Sequence, residues 1–536
     1  MPLGKKIVLT IVITLLICIT ISVVAIQYFI PMVFGTKFTL LESYRISDDD
    51  GFPSLSINFT CSGTVTVKII GPDSKVIDSD FFFKGDHDVF LRIAEYRQTA
   101  APGQYILRVS DNDDKEIFSE KITFKGSDLT ILSCEQKWLN EIKINSYSLF
   151  GLKLLVQNSG DMPVYPYKFS TIIDSEIISS FALPCVIMPK ENKYVECFLY
   201  KKSEPKNSSF SLDLKDIDNN ILTSEPILKN VVDNVPTKLF TWNNNRNKAN
   251  IPKSDFLYNY YSNLDRINNE DYSLYVFDFY DDQYLDIVAN SIMAGLGSAS
   301  DVEKVNYAAS FVQNLEYKTD SVTNDSYEYP NYPIESLFND NIGRDCEDKA
   351  ILTASILENM GFNVALLRFP NHMAVGVNLS KNAISQYQYY VDNYFFLETT
   401  TEGKPCGFVP NEYKDLVSEV IIYPIVFRPL LIHHWENNAI MIYSNTERGD
   451  FVKVKAVIEN LGSTTAEDFK VEGAFYNSLG VKANYESLEI GTLEPGMKKE
   501  LTLNVSIPKN LTTWFKTRIY IDNEVVDEKE SASSFP

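Results

Sequence analysis

Cys346, His372 and Glu398 follow one another along the chain in the order of a nucleophile, a general base and a carboxylate that orients the base. A thiol attacks carbonyl carbon as thiolate, so its surroundings decide whether it can act. Gly343 permits a turn and Asp345 suits an N-cap, which sets Cys346 in the first turn of a helix, where free N–H groups and the positive dipole end favour thiolate. The apolar face of that helix is read as Ala350, Ile351, Ala354 and Leu357, and Gly361 ends it.

Val364 to Phe369 then reads as a buried strand, Pro370 interrupts it, and His372 opens a second strand of alternating character. Tyr387 to Val391 and Tyr394 to Thr399 flank Asp392-Asn393, a two-residue hairpin turn. Glu398 on the returning strand would come beside His372 in an antiparallel sheet. In that arrangement His372 takes the thiol proton, Cys346 attacks an amide or ester carbonyl, and the Cys346 backbone N–H supports the oxyanion. Gln313 and Asn314 are the candidates for a second oxyanion donor, and Tyr317, Tyr327, Tyr329 and Tyr332 are either cleft walls for an acyl group or packing residues.

Other readings of the same residues stand beside this one. A lone cysteine on a helix is usually core. Asp392 competes for the third position, although Asp is expected in a hairpin turn for backbone reasons. Asp345 and Asp348 could suggest calcium, but acidic residues in a first helical turn complement the dipole. A zinc site of one thiolate, one imidazole and one carboxylate would be an unusual ligand set, so no metal and no cofactor is expected.

At Gly343-Arg344-Asp345-Cys346-Glu347-Asp348, Pro370-Asn371-His372-Met373-Ala374-Val375-Gly376-Val377 and Glu398-Thr399-Thr400 the chain resembles the transglutaminase-like superfamily, most closely its prokaryotic branch. The likeness extends upstream through Phe311 to Tyr317 and Tyr329 to Glu335. The resemblance implies a papain-like core with a Cys-His-Asp/Glu triad: Cys346 as nucleophile, His372 as general base and acid, Glu398 as orienting carboxylate. Two positions depart from the pattern. Glu398 stands where the superfamily usually has Asp, and Glu347 follows the cysteine where animal cross-linking enzymes carry Trp, which favours hydrolysis or another acyl transfer over protein cross-linking.

The 536 residues carry 49 Lys and Arg against 71 Asp and Glu, a net charge of -22. So acidic a chain repels phosphate backbones, and no nucleic-acid partner is expected. The run from Ile7 to Ile30 is almost wholly apolar, follows Lys5-Lys6, and is long enough to cross a hydrocarbon core of roughly 30 Å. It reads as a single transmembrane helix with the N-terminus cytoplasmic and the rest extracytoplasmic, a cleaved signal peptide being the alternative. The seven cysteines show no metal or redox spacing; Cys18 lies in the span, and Cys185 and Cys197 flank a turn and could pair.

Short alternating segments with Pro and Gly turns surround the central stretch. Asn158-Ser159-Gly160 and Asn460-Leu461-Gly462 each end an alternating strand, and each is followed by a Pro-centred turn, so two modules read as copies of one immunoglobulin-like plan. The expected fold is multidomain α+β, a papain-like core flanked by β-sandwich modules. Its expected division is a tip (1–6), a membrane helix (7–30), two β-sandwich modules (38–126 and 127–232), a catalytic domain (233–430) and a C-terminal module (434–530). The expected function is that of a membrane-anchored thiol enzyme acting on protein or a cell-envelope polymer. Its acyl-thioester would be resolved by water or by an amine. The alternative is a silent surface binding protein that uses the same domain as a scaffold.

Overall fold

Alternating apolar residues at period two make strands throughout this chain, and the strands pair into antiparallel sheets. The computed structural model describes residues 35–141, 146–173, 176–203, 209–266, 271–320, 329–341, 343–436, 441–445 and 449–535. Before the central region lie two pairs of four-stranded sheets, and after it lies a third pair. Each pair buries its own apolar cluster, around Phe59 and Leu107, around Trp138 and Leu212, and around Phe469 and Phe515.

The two Asn-x-Gly segments are built alike. Asn158 donates its side-chain amide to the Met162 and Ile187 carbonyls at 2.8 and 3.0 Å, and its Oδ1 accepts from Gly160 N–H at 3.0 Å. Asn460 does the same with Thr464, Leu493 and Gly462 at 2.8, 2.9 and 3.0 Å. Both glycines are required by close approach: a Cβ would run into the carbonyl oxygen of Gly126 at one and of Arg428 at the other.

The central region begins with a hairpin of β1 (Thr237–Trp242) and β2 (Asn247–Pro252). Helices α1 (Asp255–Ser262), α2 (Asp282–Met293), α3 (Asp301–Gln313), α4 (Pro333–Phe338) and α5 (Cys346–Asn359) follow. Next come β3 (Asn363–Phe369), β4 (His372–Asn378), β5 (Tyr394–Leu397) and β6 (Ile421–Ile425), in one antiparallel sheet of order β5-β4-β3-β6. Helix α5 is buried on nearly all sides from Glu347 to Leu357, packed against α2, α3, α4, β3 and β4. It ends as Gly361, at φ 83°, gives its N–H to the Glu358 carbonyl at 2.7 Å.

Three expectations are corrected. The fold is mostly β rather than α+β: 49% of the described residues are in strands and 13% in helices. The paired sheets occupy most of the sequence, and all five α-helices among the described residues fall between Asp255 and Asn359. The transmembrane helix expected over 7–30 lies outside the described residues, and no helix among those described is long and apolar enough to cross a membrane. The longest has 14 residues, about 21 Å against a hydrocarbon core of roughly 30 Å. The membrane anchor, the single-pass topology and the membrane localisation are withdrawn with it. The pairing open to Cys185 and Cys197 is not made; the six described cysteines are all free, and Cys18 lies outside the described residues.

Candidate active site

The start of α5 is fixed from three sides before any chemistry is considered. Lys318 and Arg344 exchange backbone hydrogen bonds of 3.2 and 2.8 Å, which lays the cysteine loop along the chain that leaves α3. Gly343 is needed there because a Cβ would stand 2.8 Å from Asp320 Oδ1 and 2.9 Å from the Lys318 carbonyl. Arg344 reaches back through Nε to the Ser336 carbonyl at 2.6 Å. Asp348, fully buried, accepts from Asn331 N at 2.7 Å, from Asn331 Nδ2 at 2.7 Å and from Asp345 N at 3.2 Å. Cys346 is thus presented by a rigid helix end.

His372 pairs with Phe369 at the β3–β4 turn, and Glu398 stands one residue beyond β5. The His372 Nε2 to Glu398 Oε2 distance is 3.2 Å. The other carboxylate oxygen accepts from Thr399 N at 3.1 Å and from Thr400 N at 2.8 Å, as well as from the Thr400 hydroxyl. Burial opposes the charge on Glu398, but the His372 and Thr400 hydrogen bonds prevail and hold its pKa down at about 2. The Tyr413 ring lies flat on the imidazole, with centroids 4.7 Å apart and planes at 8°. With Nε2 tied to the carboxylate, Nδ1 is the ring nitrogen left to take a proton.

The thiol rests differently from the sequence expectation. Cys346 Sγ donates to Glu347 Oε2 at 3.2 Å. Desolvation pushes the thiol pKa up, and Glu347 and Asp345 push it the same way against a backbone N–H from Met373 that favours thiolate. Burial and two neighbouring acids outweigh the helix dipole, so the resting sulfur is neutral. Glu347 itself is raised far above the carboxylate range by desolvation, by its hydrogen bond with Asp345 and by the charge of Asp348. Glu347 Oε1 and Asp345 Oδ1 are both buried at this helix end. Ligand atoms of Asp345, Cys346 and Glu347 lie within 4.8 Å of one another.

Neither candidate oxyanion side chain is free. Gln313 spends its amide on the Glu398 and Lys404 carbonyls at 2.8 and 2.9 Å, and Asn314 donates to the Ser310 carbonyl at 2.9 Å. Gln313 is instead a clamp on the strand end that carries Glu398. Of the tyrosines, Tyr332 is core, its ring packed at tilted angles against Tyr261 and Tyr275. Tyr329 is held at 4.0 Å under the Arg266 guanidinium, and Tyr317 is 47% exposed. Tyr327 lies outside the described residues. The Asp392 turn exists, with φ 48°, but residues 387–389 before it are not strand. Tyr389 and Tyr390 pack there by hydrogen bonds to the Leu379 and Tyr413 carbonyls at 2.7 and 2.5 Å.

Two residues that matter were not singled out from sequence. Tyr413 lies in a polar loop with no periodicity. Lys349 is buried with Nζ on the Gln313 and Leu315 carbonyls at 3.3 and 2.6 Å, and desolvation lowers its pKa to about 8. Its signal was a charged residue on the otherwise apolar body of α5.

No family model matches the chain, and no curated protein matches it. Among solved structures it is similar to red sea bream transglutaminase, at 10% identity and TM-score 0.18 over 73% of this chain and 80% of that one. It is also similar to the exo-chitosanase CsxA of Amycolatopsis orientalis, at 9% identity and TM-score 0.15 over 91% of this chain and 77% of that one. A third is a provisional beta-galactosidase of Bacteroides fragilis, at 15% identity and TM-score 0.16, where the match spans 31% of this chain and only 28% of the other. These neighbours are enzymes of different chemistry, and likenesses this slight carry no activity across.

Proposed function

We propose that this protein is a transglutaminase-like thiol enzyme that forms an acyl-thioester on Cys346 and resolves it with water or an amine. The observation that carries the reading is the pair of His372, at the start of β4, and Glu398, one residue beyond the neighbouring β5, 3.2 Å apart, in a sheet packed against the helix that begins at Cys346. Glu398 is held ionised by three donors besides the imidazole, so it can stabilise an imidazolium formed when Nδ1 takes the thiol proton. Sulfur then attacks the carbonyl carbon, the carbonyl electron pair moves to oxygen near the Cys346 N–H, and His372 returns the proton to the leaving amine or alcohol. Protein or an envelope polymer bearing amide or ester groups is the substrate class.

One observation favours a silent scaffold: the resting thiol bonds to Glu347 rather than to the imidazole. Full-length protein treated with p-nitrophenyl acetate separates the two. The enzyme reading expects a burst of p-nitrophenol, a hydroxylamine-labile acetyl group on the Cys346 peptide, and loss of both in Cys346→Ala and His372→Ala. No burst, or acetylation confined to other residues, would overturn it.

A further inference from the structure

Away from the thiol, the second pair of sheets, the helical region and the third pair of sheets meet around a cleft of about 420 Å³, a volume suited to a small organic ligand. Its apolar wall is aromatic, with Phe181, Phe277, Phe279 and Phe427 converging from three parts of the chain. Phe181 meets Phe279 edge-to-face, centroids 4.9 Å apart at 68°, and meets Tyr167 at 5.4 Å and 73°. Rings set at such angles turn different edges and faces into one space.

The polar part of the wall is acidic. Asp282 in the first turn of α2, Glu358 in the last turn of α5 and Glu494 all line the cleft, and no Lys, Arg or His does. None of the three carboxylates is ion-paired among the described residues. Asp282 and Glu494 are exposed and Glu358 is half-buried, so the rim is negative and hydrated; it repels anions and draws cations to a mouth walled by π faces. A compact metal ion would prefer oxygen on every side. A diffuse cation with an alkyl surface satisfies both parts of the wall at once.

We propose that this cleft binds an organic cation of the alkylated-ammonium type. Glu358 is on the same helix as Cys346 but roughly 18 Å along it, so the cleft is a second site and does not depend on the thiol chemistry.

Calorimetric titration of the full-length protein with choline, and with its neutral isostere dimethylbutanol, tests the proposal. Choline is expected to bind and the isostere not to compete. Asp282→Asn with Glu358→Gln is expected to weaken choline about 100-fold and Phe279→Ala about tenfold, with Phe279→Tyr close to wild type. Wild-type protein that ignores choline, an isostere that binds equally well, or choline affinity unchanged in the double charge variant would each overturn it.

Discussion

Tyr413 stacks on His372 with ring centroids 4.7 Å apart and an angle of 8° between planes, and the same tyrosine packs at 5.0 Å on Phe369, the residue paired with His372 across the β3–β4 turn. The imidazole is thereby held between a carboxylate at its edge and an aromatic face.

If that stack orients the ring, Tyr413→Ala frees the imidazole while Tyr413→Phe keeps it. An aromatic pair of this kind contributes about 1 kcal/mol, so acylation of Cys346 is expected to fall about fivefold to tenfold in the Ala variant. It should stay near wild type in the Phe variant. Single-turnover rates with p-nitrophenyl acetate measure both.

Glu347 accepts the thiol proton's hydrogen bond and so favours the neutral sulfur. Glu347→Gln removes the acid and supplies an N–H donor, so the thiol pKa should fall. Below that pKa each unit of decrease raises the thiolate fraction tenfold. Iodoacetamide labelling of Cys346 at pH 8 is therefore expected to be about tenfold faster in the variant. An unchanged rate would show that desolvation alone sets the thiol.

Glu398 is held at about 2 by His372 and Thr400, below the ordinary value of roughly 4.3. A depressed carboxylate stabilises the fold above its unfolded pKa and loses that contribution as pH falls through the folded one. Between pH ~5 and pH ~2 the wild type should therefore lose on the order of 3 kcal/mol that Glu398→Gln, already without it, does not lose. Urea titrations at pH 6 and pH 3 compare the two slopes.

Gly462 and Gly160 test the repeated Asn-x-Gly device. A Cβ at either meets backbone rather than a movable side chain, so Gly462→Ala is expected to destabilise by about 2–4 kcal/mol. In the paired Pro turns, Gly496 has φ 70° and Lys190 has φ 65°. Lys190→Gly should accordingly be neutral or stabilising, by at most about 1 kcal/mol. Chemical denaturation of each variant decides.

By itself the sequence determined what is local or periodic. Gly343, the capping acids and the apolar spacing after Cys346 put the thiol at a helix start, because turns, caps and amphipathic faces are set by residues within a few positions of one another. The Asn-x-Gly repeat was legible for the same reason, since each copy's amide bonds lie mostly within its own turn and the strand beside it. The balance of strand and helix is not legible in the motifs, because they fall in the short helical region while the long alternating segments around it supply most of the regular structure.

Tertiary structure alone decided the electrostatics and the partners. Whether the dipole or desolvation governs Cys346 depends on Asp345 and Glu347 being packed together at the buried helix end, which spacing does not reveal. Gln313 became a clamp because the chain around Lys404 folds back over α3. Tyr413 reached His372 because the short 3-10 turn Asn411–Tyr413 packs its ring against Phe369 and His372 at the β3–β4 turn. Contacts between segments distant in the chain are fixed by packing, and no pattern along the chain encodes them singly.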